Sequence, residues 1–207
     1  MSVAHTDHSA ELDRQVAVWA ELGHPLPTST VDTLREQLAA LPSPDPGAEP
    51  GREQVPFVLV VPAAARPAEK AIARVSLRGR SGTLNQHADD MDDFEPIAAV
   101  DVPDTDAYLL VDVERGSEFC NVPPEPAVAT LAERGRTPLT VAEGIALVSV
   151  RTDVLEKNHC FSLAGSRHGD RRVPAIWISK GAPHLGWCFA GAPHTWLGVA
   201  SVGSRVS

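Results

Sequence analysis

The chain lacks any apolar run able to cross a membrane. Its longest, Phe57 to Ala65, is broken by Pro62 and falls far short of the roughly 20 residues a spanning helix needs. The N-terminal residues, among them His5, Asp7, His8 and Glu11, do not form the apolar segment of a secretory signal. Cysteine is scarce, with three at positions 120, 160 and 188 and no C-x-x-C pair. That excludes an even disulfide framework and points to free thiols in a reduced, cytoplasmic compartment. Cations are outnumbered, 18 Lys and Arg against 27 Asp and Glu for a net charge of −9, which argues against non-specific nucleic-acid binding through phosphate neutralisation. There is no G-x-S-x-G, no P-loop and no G-x-G-x-x-G, so hydride transfer and nucleotide hydrolysis by those routes are disfavoured.

What is present is ordinary for a globular chain. Its 207 residues are 43% apolar and 22% charged, enough for one sizeable core or two small ones. The charge is unevenly spread. Residues 86–118 carry eleven acids against Arg115 alone, whereas residues 151–207 carry seven Lys or Arg against three acids. The two regions could attract each other, or one could face an anion.

Helical spacing of Leu12, Val16, Trp19 and Ala20 predicts a helix over 9–22, with Ser9 as N-cap and Gly23 past its end. Val31, Leu34, Leu38 and Leu41 predict a second, capped by Thr30 and stopped by Pro42. Residues 42–54, with four prolines and two glycines, read as a linker. The organisation expected is thus a helical appendage over 1–41, a linker over 42–54, and an α+β domain over 55–207. The appendage is expected to pack against that domain or a second subunit.

Val55–Val61 reads as a buried strand, with shorter strands at Val75–Arg78 and Ala107–Val113. Pro124–Glu133 has helical composition, and Thr140-Val-Ala-Glu143 is a capping box opening another helix. After Asn158 short apolar or aromatic runs alternate with turns: Cys160–Gly165, Val173–Ser179, Leu185–Ala190 and Thr195–Ser201. This spacing predicts a C-terminal antiparallel β-meander packed with helices, hence an α+β class.

The last fifty residues hold His159, His168, His184 and His194, Cys160 and Cys188, and Trp177, Trp187 and Trp196. Gly181-Ala-Pro-His184 recurs as Gly191-Ala-Pro-His194, which suggests two turns presenting matched side chains. The run from Cys160-Phe-Ser-Leu-Ala-Gly through Arg171-Arg-Val-Pro-Ala-Ile-Trp-Ile-Ser to Leu185-Gly-Trp-Cys and Pro193-His-Thr-Trp-Leu-Gly, with Thr137-Pro-Leu-Thr140 upstream, resembles an uncharacterised family of high-GC bacterial proteins, a domain of unknown function. The similarity is mainly over 137–205. The resemblance implies a bacterial, cytosolic, single-domain protein; it brings no reaction and no catalytic residues.

Three functional readings follow from the residues. In the first, the meander binds a small anionic ligand. Arg167, Arg171, Arg172 and Lys180 would supply paired hydrogen bonds to carboxylate or phosphate, Trp187 and Trp196 an apolar wall, and His194 a titratable donor. The competing account has the tryptophans in the core and the arginines paired with the acidic block. In the second, a zinc- or iron-dependent enzyme uses Cys160, His184, Cys188 and His194, which are suitable atoms without the paired spacing of a metal motif. Alternatively these cysteines are small buried hydrophobes. In the third, the tryptophans bury against another chain in an interaction module or a homo-oligomer. Ser166-Arg-His168-Gly-Asp170 reads as a polar turn, since five consecutive residues do not converge as a triad. The acidic run Asp89–Glu95 lacks the glycine and distant Glu of a calcium loop and reads as a solvated loop.

Overall fold

A computed structural model describes residues 8–41 and 53–207. The expected linker, save its last two residues, lies outside the described residues.

Helices α1 (His8–Glu21) and α2 (Thr28–Ala40) come first, joined at Gly23, whose φ of 88° lets the chain leave α1. Thr30 lies inside the first turn of α2 rather than capping it. The helix starts after Pro27, whose fixed φ suits a helix entry but which offers no side-chain acceptor. Next is β1 (Gln54–Val60). Its free edge is covered by α1: Gln15, fully buried, accepts the Leu59 N–H at 2.7 Å and donates to the Phe57 carbonyl at 3.2 Å, while the Trp19 indole donates to the Leu59 carbonyl at 2.9 Å. One amide side chain thereby stands in for a neighbouring strand, which disposes of edge groups that would otherwise invite pairing with another chain. The helical pair packs on the main core through Leu12, Trp19, Leu34 and Leu38.

After α3 (Ala68–Arg74) come β2 (Ser76–Leu77) and β3 (Arg80–Ser81), a hairpin whose turn residues Arg78 and Gly79 both have positive φ, 52° and 78°. That combination defines the tight turn matching strand twist. Then follow β4 (Thr83–Leu84), β5 (Glu95–Pro96), β6 (Tyr108–Glu114), α4 (Pro124–Glu133), β7 (Thr137–Pro138) and α5 (Val141–Val150). The capping box forms as the sequence predicts: Thr140 Oγ1 accepts from Glu143 N, and Glu143 Oε2 accepts from Thr140 N at 2.7 Å. The chain ends with β8 (Cys160–Ser162), β9 (Ser166–Arg167), β10 (Arg172–Ser179), β11 (Ala182–Phe189), β12 (Leu197–Val199) and β13 (Ser201–Val206).

The class is α+β. Of the two larger sheets one is antiparallel, in the order β1-β6-β13-β7, and the other runs β12-β8-β10-β11-β4; β2-β3 and β5-β9 form two-stranded sheets. Within the second, β8, β10 and β11 pair antiparallel, while β4 on β11 and β12 on β8 are parallel. The C-terminal sheet is therefore mixed. The run Thr195–Ser201 divides at Ala200 between β12 and β13 and passes from one sheet to the other. Helix α5 is almost wholly buried and apolar save for Glu143 and Ser149, touching β1 and β10, as a helix between layers must be. Beside it the buried Glu143 carboxylate accepts from Tyr108 Oη at 2.9 Å and from Arg205 Nε and Nη2 at 2.6 and 2.8 Å, so that β6, β13 and α5 are tied by one ion pair with its lone pairs filled.

Alternation along β8, β10 and β11 gives the five-stranded sheet two unlike faces. Phe161, Leu163, Ile176 and Leu185 point into the main core with α5, and Trp187 packs against it. Cys160, Val173, Ala175 and Cys188 face a second, smaller core closed by Phe119 and by Ala127 and Leu131 of α4.

Candidate functional site

The same alternation separates the residues that the sequence grouped. Arg172 and Trp187 lie on the inner face. There Arg172 holds Asp90 by two bonds of 3.1 and 2.7 Å, Asp170 by one of 2.7 Å, and stacks between the rings of Phe94 and Trp187 at 5.3 and 5.4 Å. These bonds hold the Asp90 carboxyl below its usual range. The backbone N–H of Arg172, then its guanidinium, do the same for Asp170. Trp187 donates to the His87 carbonyl at 2.8 Å, and His168 meets the Asp93 carbonyl at 3.1 Å. Arg172 is thus a clamp between the sheet and the acidic block rather than an open anion receptor. For the same reason the run Asp89–Glu95 is docked rather than projecting into solvent: Met91 and Phe94 are buried, and Asp92 accepts the Ala68 N–H at 2.9 Å. An acidic block with two apolar anchors folds inward at the anchors.

Arg167 is half-buried and spends Nη1 on the Ala164 and Ser166 carbonyls, each at 2.8 Å; desolvation lowers its pKa. Arg171 is exposed at the start of β10 and Lys180 at the tip of the β10–β11 hairpin, at the far end of that strand. The four cations therefore do not converge.

Neither does the Cys/His quartet. By register Cys188 sits opposite Val173, and Cys160 falls opposite Trp177, four residues along the strand and so roughly 13 Å apart at about 3.3 Å per residue. That is too far to share an ion with bonds of about 2.3 Å. The Cys160 thiol donates to the Glu156 carbonyl at 3.4 Å, and Cys188 meets Ser162 at 3.8 Å. Burial raises both thiol pKa values, which makes them poor nucleophiles and metal ligands. Among the described residues no three of His, Cys, Asp or Glu are grouped to hold a metal.

What does assemble, on the outer face, is a row of four partly exposed rings: His184, Trp177, Trp196 and His194. Neighbouring centroids are 4.8, 6.0 and 5.3 Å apart. Trp177 lies down over Gly186 of the next strand, where a Cβ would come within 2.5 Å of its indole. His184 and Trp196 stand at 69° and 65° to it on either side. The glycine that interrupts the apolar pattern of β11 is therefore the seat of an indole. The two Gly-Ala-Pro-His segments are not equivalent, since the first forms the hairpin turn and the start of β11 and the second is irregular, yet their histidines close the two ends of one row. His184 is held neutral. Burial lowers its pKa. The Asn85 amide, whose oxygen accepts the His87 N–H, presents its NH₂ to Nε2 at 3.3 Å, so the ring proton sits on Nδ1 and is donated to Thr83 Oγ1 at 2.7 Å.

With this geometry in place, the comparisons place the molecule in a family. Residues 20–207 match DUF5701, a family of unknown function. The chain belongs to that family. No curated protein and no solved structure matches it. The match spans nearly the whole described fold, so the aromatic row and the Arg172 clamp both lie inside the DUF5701 region.

One group of residues in this DUF5701 chain escaped the sequence reading. Between Lys70 and His87 stand Lys70, Arg74, Arg78 and Arg80 with no acid, a local reversal of the chain's charge that was legible but was masked by the acidic block beside it. The hairpin carrying Arg78 and Arg80 packs against that carrying Lys180, with Arg80 Nη1 donating to the Lys180 carbonyl at 2.6 Å. Among the described residues, Arg78, Arg80 and Lys180 form no salt bridge. Lys180 follows Trp177 by three residues, roughly 10 Å of extended backbone. A cavity of about 250 Å³ lies elsewhere, between α3 and residues 84–92. Its carboxylates, Glu69, Asp89 and Asp92, give it the opposite sign. No helix among the described residues is long and apolar enough to cross a membrane.

Proposed function

We propose that the protein binds a small anionic molecule at the outer corner of the five-stranded sheet, with Trp177 and Trp196 as the apolar surface, His184 and His194 as its polar ends, and Lys180, Arg80 and Arg78 as the cations. The observation that carries this reading is the contrast in partners: in a chain of net charge −9, these three cations form no salt bridge among the described residues, and the Lys180 turn joins the two strands that carry Trp177 and His184, two of four partly exposed rings. Guanidinium groups not already neutralised are those able to take a carboxylate or phosphate. The imidazoles at the ends of the row add hydrogen-bonding capacity.

The test is a thermal-shift and calorimetric screen of phosphorylated and carboxylated metabolites. Binding members are expected to quench tryptophan emission and to bind at least tenfold more weakly to the Arg80→Ala/Lys180→Ala double variant, while Arg172→Ala binds normally. A screen in which no anion stabilises the wild type removes the proposal.

A second reading, association with another chain, rests on Phe189, which is 53% exposed and 5.3 Å from Trp187. A concentration-dependent mass that Phe189→Ser abolishes would establish it.

A further inference from the structure

The outer edge of β1 is sealed by side chains, and both come from one helix. Leu59 turns its N–H and its C=O outward, to Gln15 at 2.7 Å and to Trp19 at 2.9 Å, and the Phe57 carbonyl accepts from the Gln15 amide at 3.2 Å. The strand beneath is of a kind that pairs readily. Phe57–Val61 is buried and rich in β-branched residues, and no charge interrupts the chain from Val55 to Ala65. Pro56 does not blunt the outward edge, because alternation turns position 56 toward β6. Exposed edges are commonly protected by charges or bulges of their own; here the protection is α1. The match to the family begins at residue 20, so β1 lies inside the shared region and both sealing side chains, Gln15 and Trp19, precede it. The helical pair is also incompletely satisfied: the buried His8 Nε2 and Gln37 Oε1 have no hydrogen-bond partner among the described residues, which lowers the cost of lifting the pair away.

We propose that α1 is a cis-acting cover on a strand-docking edge, and that the partner admitted when it lifts is β1 of a second copy of this chain. A residue that presents both its N–H and its C=O outward is its own complement, since two such residues exchange both bonds in an antiparallel pair. A two-fold axis sets the identical edge opposite, and Leu59 then gives to a backbone the two bonds that it now gives to Gln15 and Trp19. The four-stranded sheet continues across the axis into its counterpart, β1 against β1. Gln15 is the residue on which closure turns, because its one amide supplies both an acceptor to the Leu59 N–H and a donor to the Phe57 carbonyl. The aromatic row lies on the other sheet, so this inference and the anion-binding reading stand or fall separately.

The test uses the full chain carrying Gln15→Leu, which keeps the side-chain volume and removes both edge bonds, with sedimentation and hydrogen exchange at the Leu59 amide as readouts. In the wild type that amide is expected to stay protected at every concentration. In the variant its exchange should be at least tenfold faster in dilute solution; as concentration rises the mass should double relative to the wild type, and protection at Leu59 should return with the dimer. Trp19→Phe keeps a ring in the core and removes one bond, so it should move the same readouts in the same direction by a smaller factor, and it decides the question if Gln15→Leu does not fold. Arg172→Ala loosens the molecule elsewhere and should keep the wild-type mass; equal dimerisation of that variant would assign association to general loosening and overturn the proposal. Rapid exchange at Leu59 in a variant that stays monomeric at every concentration would overturn it too, as would a dimer in which Leu59 remains unprotected.

Discussion

The two faces of the five-stranded sheet carry similar side chains put to opposite uses. On the inner face Arg172 has two carboxylates and two aromatic rings, and deeper still Arg205 donates to Glu143, Thr137 and the Pro138 carbonyl. At the hairpin tips Arg78, Arg80 and Lys180 form no salt bridge among the described residues, and the rings of the outer face are partly exposed. An arginine surrounded by partners holds the fold together; one without them is free to take a ligand. The comparison shows why residue type alone does not mark a binding site.

The largest effect that would sharpen this contrast is expected in the interior. Arg205→Ala leaves the Glu143 carboxylate buried without its cation, a loss of about 3–5 kcal/mol, read as a drop in denaturant midpoint. Next comes Arg172→Ala, which forfeits charge-assisted bonds and two ring contacts, about 2 kcal/mol, with ligand binding unchanged. Its pH signature has a definite sign. Asp90 and Asp170 are held below their usual carboxylate range in the folded state, so the clamp stabilises fully above the unfolded value near 3.9 and is lost as pH falls through the folded ones. The stability difference between wild type and Arg172→Ala should therefore close below about pH 4; a gap that stays constant to pH 2 would show the clamp to be packing rather than charge.

On the outer face smaller stability changes should accompany larger binding changes. Gly186→Ala drives a methyl into the Trp177 indole. It should cost about 1–2 kcal/mol, shift the tryptophan emission, and weaken ligand binding at least tenfold; unchanged emission would mean that Trp177 does not rest on this glycine. Lys180→Ala, at an exposed tip, should alter stability by no more than about 0.5 kcal/mol while weakening ligand binding, the reverse of Arg172→Ala. The smallest signal is the His184 titration. Because burial lowers its pKa, its imidazole resonances should move only as pH falls below 6.5, and stability should decline over that same interval as the unfolded chain takes up the proton first. Titration above 6.5 would contradict a neutral ring at the end of the row.

Much of the secondary structure was legible because local rules govern it. The α5 capping box, the helix Pro124–Glu133 and the strands near 55–61 and 107–113 follow from capping, periodicity and β-branching, and all are present. Thr30 misled because a preceding proline set the helix start. The parallel edges of the C-terminal sheet were not legible: β4 comes from nearly a hundred residues upstream, and β12 crosses to the far side of β8. The candidate site was half legible. His194 and Trp196 belong to the aromatic row, whereas Trp187 and Arg172 do not: Trp187 is three positions from His184 on β11 and Arg172 five from Trp177 on β10, odd spacings that point to opposite faces. Trp177 was passed over for want of any sign that Gly186 would lie beneath it.

By itself, the sequence determined the α+β class, most of the helices and the capping box of α5, and a terminal region rich in indole, imidazole and guanidinium. The tertiary structure alone decided which of those groups are spent and which are free. The physical reason is that hydrogen bonds and ion pairs are claimed across the chain: Asp90 reaches Arg172 from 82 positions away, while Lys180, in the turn that ends the same strand, forms no salt bridge among the described residues.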